Sequence, residues 1–227
     1  MGTKKYILTE ATKEYLGITL YRIKAIRAFG DIKEGDIGGW IESEINLSHA
    51  GNAWVYSNAI VYGNARVFGN ARIDDNSKVY DNAKIYGDAE VYDNAKVYGN
   101  AWVSDNAKVS ITAEVYGNTW VRENAGVYGN ARVYGNASIN GSAWICGNAY
   151  VCNDTDYIVF KNWWSSCRHF TWTRSNNKWK VGCFYGTGEE LIQKAYADSE
   201  KSGREYERVV KYVESILADE KEDSKHN

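Results

Sequence analysis

The chain contains no proline, one methionine and only three histidines among its 227 residues. Proline cannot donate a hydrogen bond to a β-ladder, so its absence suits a chain whose strands are paired on both sides. The cysteines form no closely spaced CxxC pair, which argues against a zinc or dithiol motif and predicts buried or surface thiols. These cysteines are Cys146, Cys152, Cys167 and Cys183.

Charge and hydropathy exclude further classes of protein. The formal net charge is −2, which leaves no global field that attracts nucleic acid. The sequence has no run of about 18 apolar residues and no signal-peptide pattern. We therefore expect a cytoplasmic protein that binds neither a membrane nor nucleic acid.

What the chain does contain is a repeat on the template A-x-[VI]-x-[GD]-N. Seventeen hexads run from Ala53 to Asp154 without an insertion, and the third position is Val or Ile in all of them. The first position is Ala in all but two hexads, where Ser77 and Thr119 replace it. A short fixed period of this kind predicts a solenoid of stacked coils.

The spacing within a hexad predicts where each side chain points. Positions one and three of a strand share a face, so Ala95 and Val97 enter the interior while Lys96 and Tyr98 leave it. Positions five and six, such as Gly99 and Asn100, then form the corner, because glycine, asparagine and aspartate tolerate positive φ. A six-residue period leaves no apolar stripe on a helix.

On these residues the chain resembles the hexapeptide-repeat family of left-handed parallel β-helices, whose coils contain three hexads. The resemblance implies a mainly β fold, a single-stranded left-handed solenoid with between five and six coils. Strand spacing gives a height on the order of 27 Å. Many members of that family are trimeric acyltransferases with a histidine base between subunits and a long loop that leaves the coils.

Stacking residues eighteen apart predicts aromatic columns on the outer faces. The tyrosine column comprises Tyr62, Tyr80, Tyr98, Tyr116 and Tyr134, the tryptophan column comprises Trp102 and Trp120, and a third face has Trp54 and Trp144 at opposite ends. One interpretation is stacking that stabilises adjacent coils. Another is an interface with identical subunits or a partner, and the remaining alternative is a ligand surface. We expect a homo-oligomer, preferably a trimer, packed through such a face.

The flanks divide the chain into three predicted regions: a β-rich N-terminal cap (1–46), the β-helix (47–154) and a small α+β domain (155–227). In the last, alternation around Phe170 to Thr173 and Trp179 to Cys183 predicts a hairpin. Thr187 and Glu190 form a capping box for a helix from Gly188 to Asp198. A second helix is expected from about Gly203 to Asp219, followed by a frayed tail.

Residues that carry chemistry are scarce. His49, His169 and His226 all lie outside the regular hexads, and a cap or strand-pairing role is the interpretation for each. The uninterrupted hexads leave no loop to cover a coenzyme. Outward Glu90 and Glu114 are interpreted as part of a solvated face. We predict no catalytic residue, no cofactor and no metal.

Two further stretches, residues 22–48 and 181–195, resemble a group of hexapeptide-repeat proteins encoded by bacteriophages and prophages. This resemblance implies origin and layout but no catalytic residue. The favoured function is non-enzymatic: a phage or prophage protein that binds or acts as a scaffold in the host cytoplasm, with action against a host defence system as one such role. The alternatives are an acyltransferase that uses His49 or His169, and a particle component.

The C-terminal domain supplies the predicted contact residues. It is richer in tryptophan than a hairpin and two helices need, and Trp172 and Trp179 fit an inward alternation. Trp163 and Trp164 are adjacent, so in an extended segment they point to opposite sides. With Lys161 and Arg168 nearby, they form the predicted binding site for a host protein or a small anionic ligand.

Overall fold

A computed structural model describes residues 3–226, with side chains for residues 3–223. Seventeen two-residue strands follow one another from Trp54 to Val151, and each except the last three pairs in parallel with the strand eighteen residues further on. The chain is mainly β, a parallel β-solenoid of about six turns, as the repeat predicts. The left-handed sense of the coils stays a prediction.

The strands form three faces. The first face comprises β3 (Ile37–Ile41), β5 (Ile60–Val61), β8 (Lys78–Val79), β11 (Lys96–Val97), β14 (Glu114–Val115), β17 (Arg132–Val133) and β20 (Tyr150–Val151). The second comprises β4 (Trp54–Val55), β7 (Arg72–Ile73), β10 (Glu90–Val91), β13 (Lys108–Val109), β16 (Gly126–Val127) and β19 (Trp144–Ile145). The third comprises β6 (Arg66–Val67), β9 (Lys84–Ile85), β12 (Trp102–Val103), β15 (Trp120–Val121) and β18 (Ser138–Ile139).

The interior matches the predicted alternation. Ala95 and Val97 are fully buried, as are their equivalents in the other coils. Ser77 is buried at an alanine position and donates its hydroxyl hydrogen to backbone carbonyls such as that of Val91. Burying this continuous column of small and branched side chains is the main apolar contribution to folding.

The chain turns each corner at position five of the hexad, where φ is positive in sixteen successive hexads from Ser57 to Gly147. Aspartate at this position also accepts the backbone N–H of the next coil: Asp93 Oδ2 accepts from Ile111, and Asp81 Oδ2 from Gly99. Position six forms a separate asparagine column, in which Asn82 donates to Asn100 and Asn100 to Asn118.

The N-terminal region is a hairpin joined to the first face. Strands β1 (Tyr6–Tyr15) and β2 (Ile18–Ala25) are antiparallel, β2 pairs with β3, and β3 pairs in parallel with β5. A short 3₁₀ helix follows at Glu44–Asn46. Trp54 and Trp144 lie at opposite ends of the second face, as predicted. The N-terminal region covers Trp54, which is therefore only 1% exposed.

The C-terminal region begins with a 3₁₀ turn at Asp154–Asp156. An antiparallel sheet follows in the order β21 (Tyr157–Lys161), β22 (His169–Thr173), β23 (Lys178–Val181) and β24 (Phe184–Gly186). Two helices complete it, α1 (Gly188–Asp198) and α2 (Glu200–His226).

The expectations for this region are largely confirmed. Phe170, Trp172 and Trp179 are buried in its core. Thr187 Oγ1 accepts the N–H of Glu190 and the Glu190 carboxylate accepts that of Thr187, which completes the capping box. The frayed tail after Asp219 was wrong: α2 continues to His226, and Glu220 in this part binds Arg174 at 3.1 Å.

Backbone hydrogen bonds give the solenoid a direction. N–H groups at positions two and four donate to carbonyls of the following coil, as Lys96 does to Ala113 and Tyr98 to Val115. The first coil therefore presents carbonyls without coil partners, and the last coil presents N–H groups. Buried backbone groups of either kind cost free energy unless they are paired.

Donors from the N-terminal region pair with the carbonyls of the first coil. The Asn46 amide donates to the carbonyls of Gly63 and Ala65 at 2.9 and 3.0 Å. The Lys5 ammonium donates to the Ala53 carbonyl at 2.8 Å. Burial, reinforced by the charge of Arg27, lowers the pKa of Lys5 to about 8.

Acceptors from the C-terminal region pair with the N–H groups of the last coil. Ser138 donates to the Asp154 carboxylate at 2.7 Å, Trp144 to the Thr171 hydroxyl at 2.9 Å and Tyr150 to the Ser175 hydroxyl at 2.7 Å. On each of the three faces, a backbone N–H group of the last strand is thus paired with a side-chain oxygen.

One corner residue is strained. Ile111 has φ 66°, is 49% exposed and follows Asp75 and Asp93 in its column. A β-branched residue at positive φ costs about 1–3 kcal/mol. Ile111→Asn should raise the free energy of unfolding by about 1 kcal/mol, because asparagine tolerates this φ. Chemical denaturation measures the change, with Ile111→Val, which keeps the branch, as the control; equal stability of the two variants contradicts the interpretation.

The N-terminal cap yields a second prediction. Asn46→Asp replaces the donating amide with a carboxylate that faces two carbonyls, so unfolding should become easier by about 3 kcal/mol. Asn52→Asp, at an exposed position, is the matched control and should change stability by less than about 0.5 kcal/mol. Similar denaturation midpoints for both variants would show that Asn46 does not close the end of the coil.

Candidate functional site

A cleft of about 470 Å³ lies where the C-terminal sheet meets the last coils. Its position follows from the acceptor cap: Thr171 on β22 accepts the N–H of Trp144 on β19, which holds the sheet against the second face. Tyr185 on β24 adds a second attachment through its hydroxyl, which donates to the Cys146 carbonyl at 3.1 Å.

The floor of the cleft is aromatic. Trp144 is 40% exposed because the second face ends at its strand. Its ring lies 5.4 Å from that of Tyr128 at an angle of 51°, and the Lys180 ammonium lies 5.3 Å from its centroid. An indole held between a ring and a cation offers apolar area with restricted side-chain motion.

The polar groups of the cleft are mainly hydrogen-bond donors. Arg168, His169 and Lys180 line it together with Asn124 and Ser142. The Asn124 amide oxygen accepts from Asn106, which leaves its NH₂ group for the cleft. Among the described residues that line the cleft there is no aspartate or glutamate, and neither Arg168 nor Lys180 has an ion-pair partner in the described chain. The arrangement therefore favours a ligand with negative charge.

Cys146, two residues after Trp144, is not arranged as a nucleophile. Cys146 is buried, and burial raises the pKa of its thiol to about 11, although the charge of Lys180 acts in the opposite direction. The thiolate is the reactive form. Cys146 is therefore a protonated, packed side chain at neutral pH.

The structure separates the predicted contact residues. Arg168 lines the cleft, and Lys161 is paired across the ladder with His169 at its edge. Trp163 is 67% exposed, whereas Trp164 is buried and packs edge-on against Tyr206 at 4.9 Å. The two indole rings lie edge to face with their centroids 6.0 Å apart, so the expectation that they point to opposite sides was wrong: the segment is a turn, not an extended strand. A binding role for these four residues stays a prediction.

Sequence reasoning missed Lys180 and Asn124, and it placed Trp144 on a face without linking it to the C-terminal domain. Trp144 carried a signal, because it is the outward residue of the last strand on its face. Lys180 carried a weaker one, since it alternates with the inward Trp179. No local pattern brings Asn124 and β23 together.

The aromatic columns form as predicted. Neighbouring rings of the tyrosine column lie 4.8 to 5.4 Å apart with interplanar angles below 10°, and Tyr15 of the hairpin packs edge-on at its first ring. Trp102 and Trp120 stack at 4.9 Å. Stacking between coils is thus present, while an interface with another subunit stays a prediction.

The histidines have different surroundings. His49 stacks on Tyr6 at 4.3 Å and accepts the N–H of Lys5 at 3.3 Å through Nδ1, so it is part of the N-terminal cap. His169 is exposed at the edge of the cleft. The side chain of His226 lies outside the described residues. Within those residues, no group of three or more His, Cys, Asp and Glu side chains is arranged to hold a metal ion.

Among the described helices, neither is long and apolar enough to cross a membrane.

Comparison with known proteins gives a match within the coils. A family model described as the YdcK beta solenoid repeat matches residues 59–75 and 125–147. No curated protein matches the chain. Both matched stretches lie in the coils, so the match, together with the parallel solenoid, supports a repeat β-helix family.

Proposed function

We propose that the chain is a non-enzymatic binding protein whose site is the cleft between the last coils and the C-terminal sheet. The ligand is small and anionic, with a flat apolar part. The observation that carries this proposal is the exposed indole of Trp144 beside Arg168 and Lys180, two cations without acidic partners in the described chain. Charge-assisted hydrogen bonds would fix the anionic group, and the indole would cover the apolar part.

The biological setting is part of the proposal. The resemblance of residues 22–48 and 181–195 to phage and prophage proteins supports a protein that acts in the host cytoplasm. A cleft for a small anion suits an anti-defence role in which the protein sequesters a ligand or docks an acidic segment of a host protein. The exposed Trp163 and the nearby Lys161 would extend the contact area beyond the cleft.

The second candidate is an acyltransferase, and the position of His169 favours it. This imidazole lies at the cleft edge beside Arg168, where a general base could meet an acceptor. His49 is less suited, because its Nδ1 already accepts a backbone hydrogen bond. A particle component remains the third candidate on sequence grounds alone.

An anionic aromatic probe tests the cleft. Anilinonaphthalene sulfonate should bind the full chain saturably. The double variant that carries Arg168→Gln and Lys180→Gln should bind the probe at least tenfold more weakly, since each lost charge-assisted bond contributes about 1.5–3 kcal/mol. Lys33→Gln, in an exposed N-terminal turn, should leave the affinity unchanged. Fluorescence titration gives all three constants. Equal affinities in all variants would contradict the site.

Turnover with acetyl-coenzyme A separates the two leading candidates. The binding proposal expects no acyl transfer, and His169→Ala should change probe affinity less than about threefold, because Arg168 and Lys180 supply the charge that fixes the anionic group. Acyl transfer by the wild type that His169→Ala abolishes would replace the binding proposal with the acyltransferase.

The homotrimer is also a proposal, supported by the aromatic columns and by the trimeric habit of the family that the repeat resembles. Light scattering at micromolar concentration should give three times the chain mass of 25.6 kDa. Trp120, 42% exposed in the tryptophan column, is the sharpest residue to change: Trp120→Lys should reduce the mass if that column is the interface. A monomeric mass for the wild type would contradict the oligomer.

A further inference from the structure

A second cationic groove lies at the opposite end of the solenoid. The distal half of the β1–β2 hairpin folds over the first face, where the Tyr15 ring packs 5.7 Å from that of Tyr62 and the Lys78 ammonium lies 5.2 Å from the Tyr15 centroid. Between hairpin and coils is a groove of about 360 Å³ lined by Lys13, Lys78 and Lys96. It shares no residue with the cleft at the other end.

The charges in this groove are unbalanced. Lys96 pairs with Glu114 at 2.9 Å, but neither Lys13 nor Lys78 forms an ion pair within the described residues. Burial, followed by the charges of Arg22 and Lys78, lowers the pKa of Lys13. Like charges held near one another oppose protonation and destabilise the fold. Such a cluster is relieved when an anion binds between its members.

A column of amides faces the same groove. Asn58, Asn76 and Asn94 line it at position six of successive coils. In the neighbouring corner the equivalent asparagines bond to one another, as Asn82 does to Asn100 at 3.1 Å. No such amide-to-amide bond joins the groove asparagines in the described chain, so their NH₂ groups are open to a ligand.

We propose that this groove binds a small ligand that carries two or more phosphate groups. The Lys13 and Lys78 ammonium groups contact the rings of Trp40 and Tyr15 but have no ion-pair partner in the described chain. Two such charges favour a ligand with at least two negative charges, and a row of amide donors matches the several acceptor oxygens of an oligophosphate. This inference is independent of the proposed function, because it rests on different residues at the other end of the chain.

Calorimetric titration of the full chain with tripolyphosphate and with orthophosphate tests the inference. Tripolyphosphate should bind more tightly than orthophosphate, and the affinity should fall between about 0.05 M and 0.3 M salt as the charges are screened. Lys13→Gln and Lys78→Gln should each weaken tripolyphosphate binding about tenfold. Lys78→Arg, which keeps the charge, should retain most of the affinity for tripolyphosphate.

The exposed Lys33→Gln is the control and should leave tripolyphosphate binding unchanged. Melting temperatures within about 3 °C of the wild type establish that the variants fold. If one of the two groove variants does not fold, the affinity of the other one tests the inference. Unchanged affinity in Lys13→Gln and Lys78→Gln overturns the inference. An equal loss in Lys13→Gln, Lys78→Gln and Lys33→Gln, which would indicate surface charge alone, also overturns it, as does the absence of binding at about 5 mM.

Discussion

The direction of the hydrogen bonds between coils is the constraint on which the rest of the structure depends. Each coil gives N–H groups to the next, as Lys96 does to Ala113, so the two ends of the solenoid need opposite partners. The N-terminal region provides donors in Asn46 and Lys5, and the C-terminal region provides acceptors in Asp154, Thr171 and Ser175. The regular repeat forms the body of the solenoid, and the irregular flanking regions cap its two ends.

Both candidate sites arise where these flanks meet the coils. Thr171 closes the second face and at the same time holds β22 beside Trp144, which creates the cleft. At the other end, the hairpin that follows Lys5 continues past the first coil, and its Lys13 faces Lys78. Caps that overhang the coils create concave surfaces, and such surfaces are natural places for ligands.

Much of the fold could be predicted from the sequence because the repeat is local. The inward Ala95 and Val97, the turn at Gly99 and the stacked tyrosines follow from a fixed period of six and three hexads per coil. The capping box at Thr187 is local in the same way. The burial of Trp54 could not be predicted, because it depends on how residues far away in the sequence return to cover the first coil. Lys180 and Asn124 meet in the cleft for the same reason: only tertiary packing sets their distance.

Hydrogen exchange of single backbone amides tests the central claim most directly. Trp144 and Tyr150 have no further coil above them, and their N–H groups are paired with the hydroxyls of Thr171 and Ser175. If side chains close the solenoid, these amides should exchange as slowly as that of Trp102, which is bonded to the following coil. Exchange at the rate of an unprotected amide, with Trp102 still protected, would contradict the account.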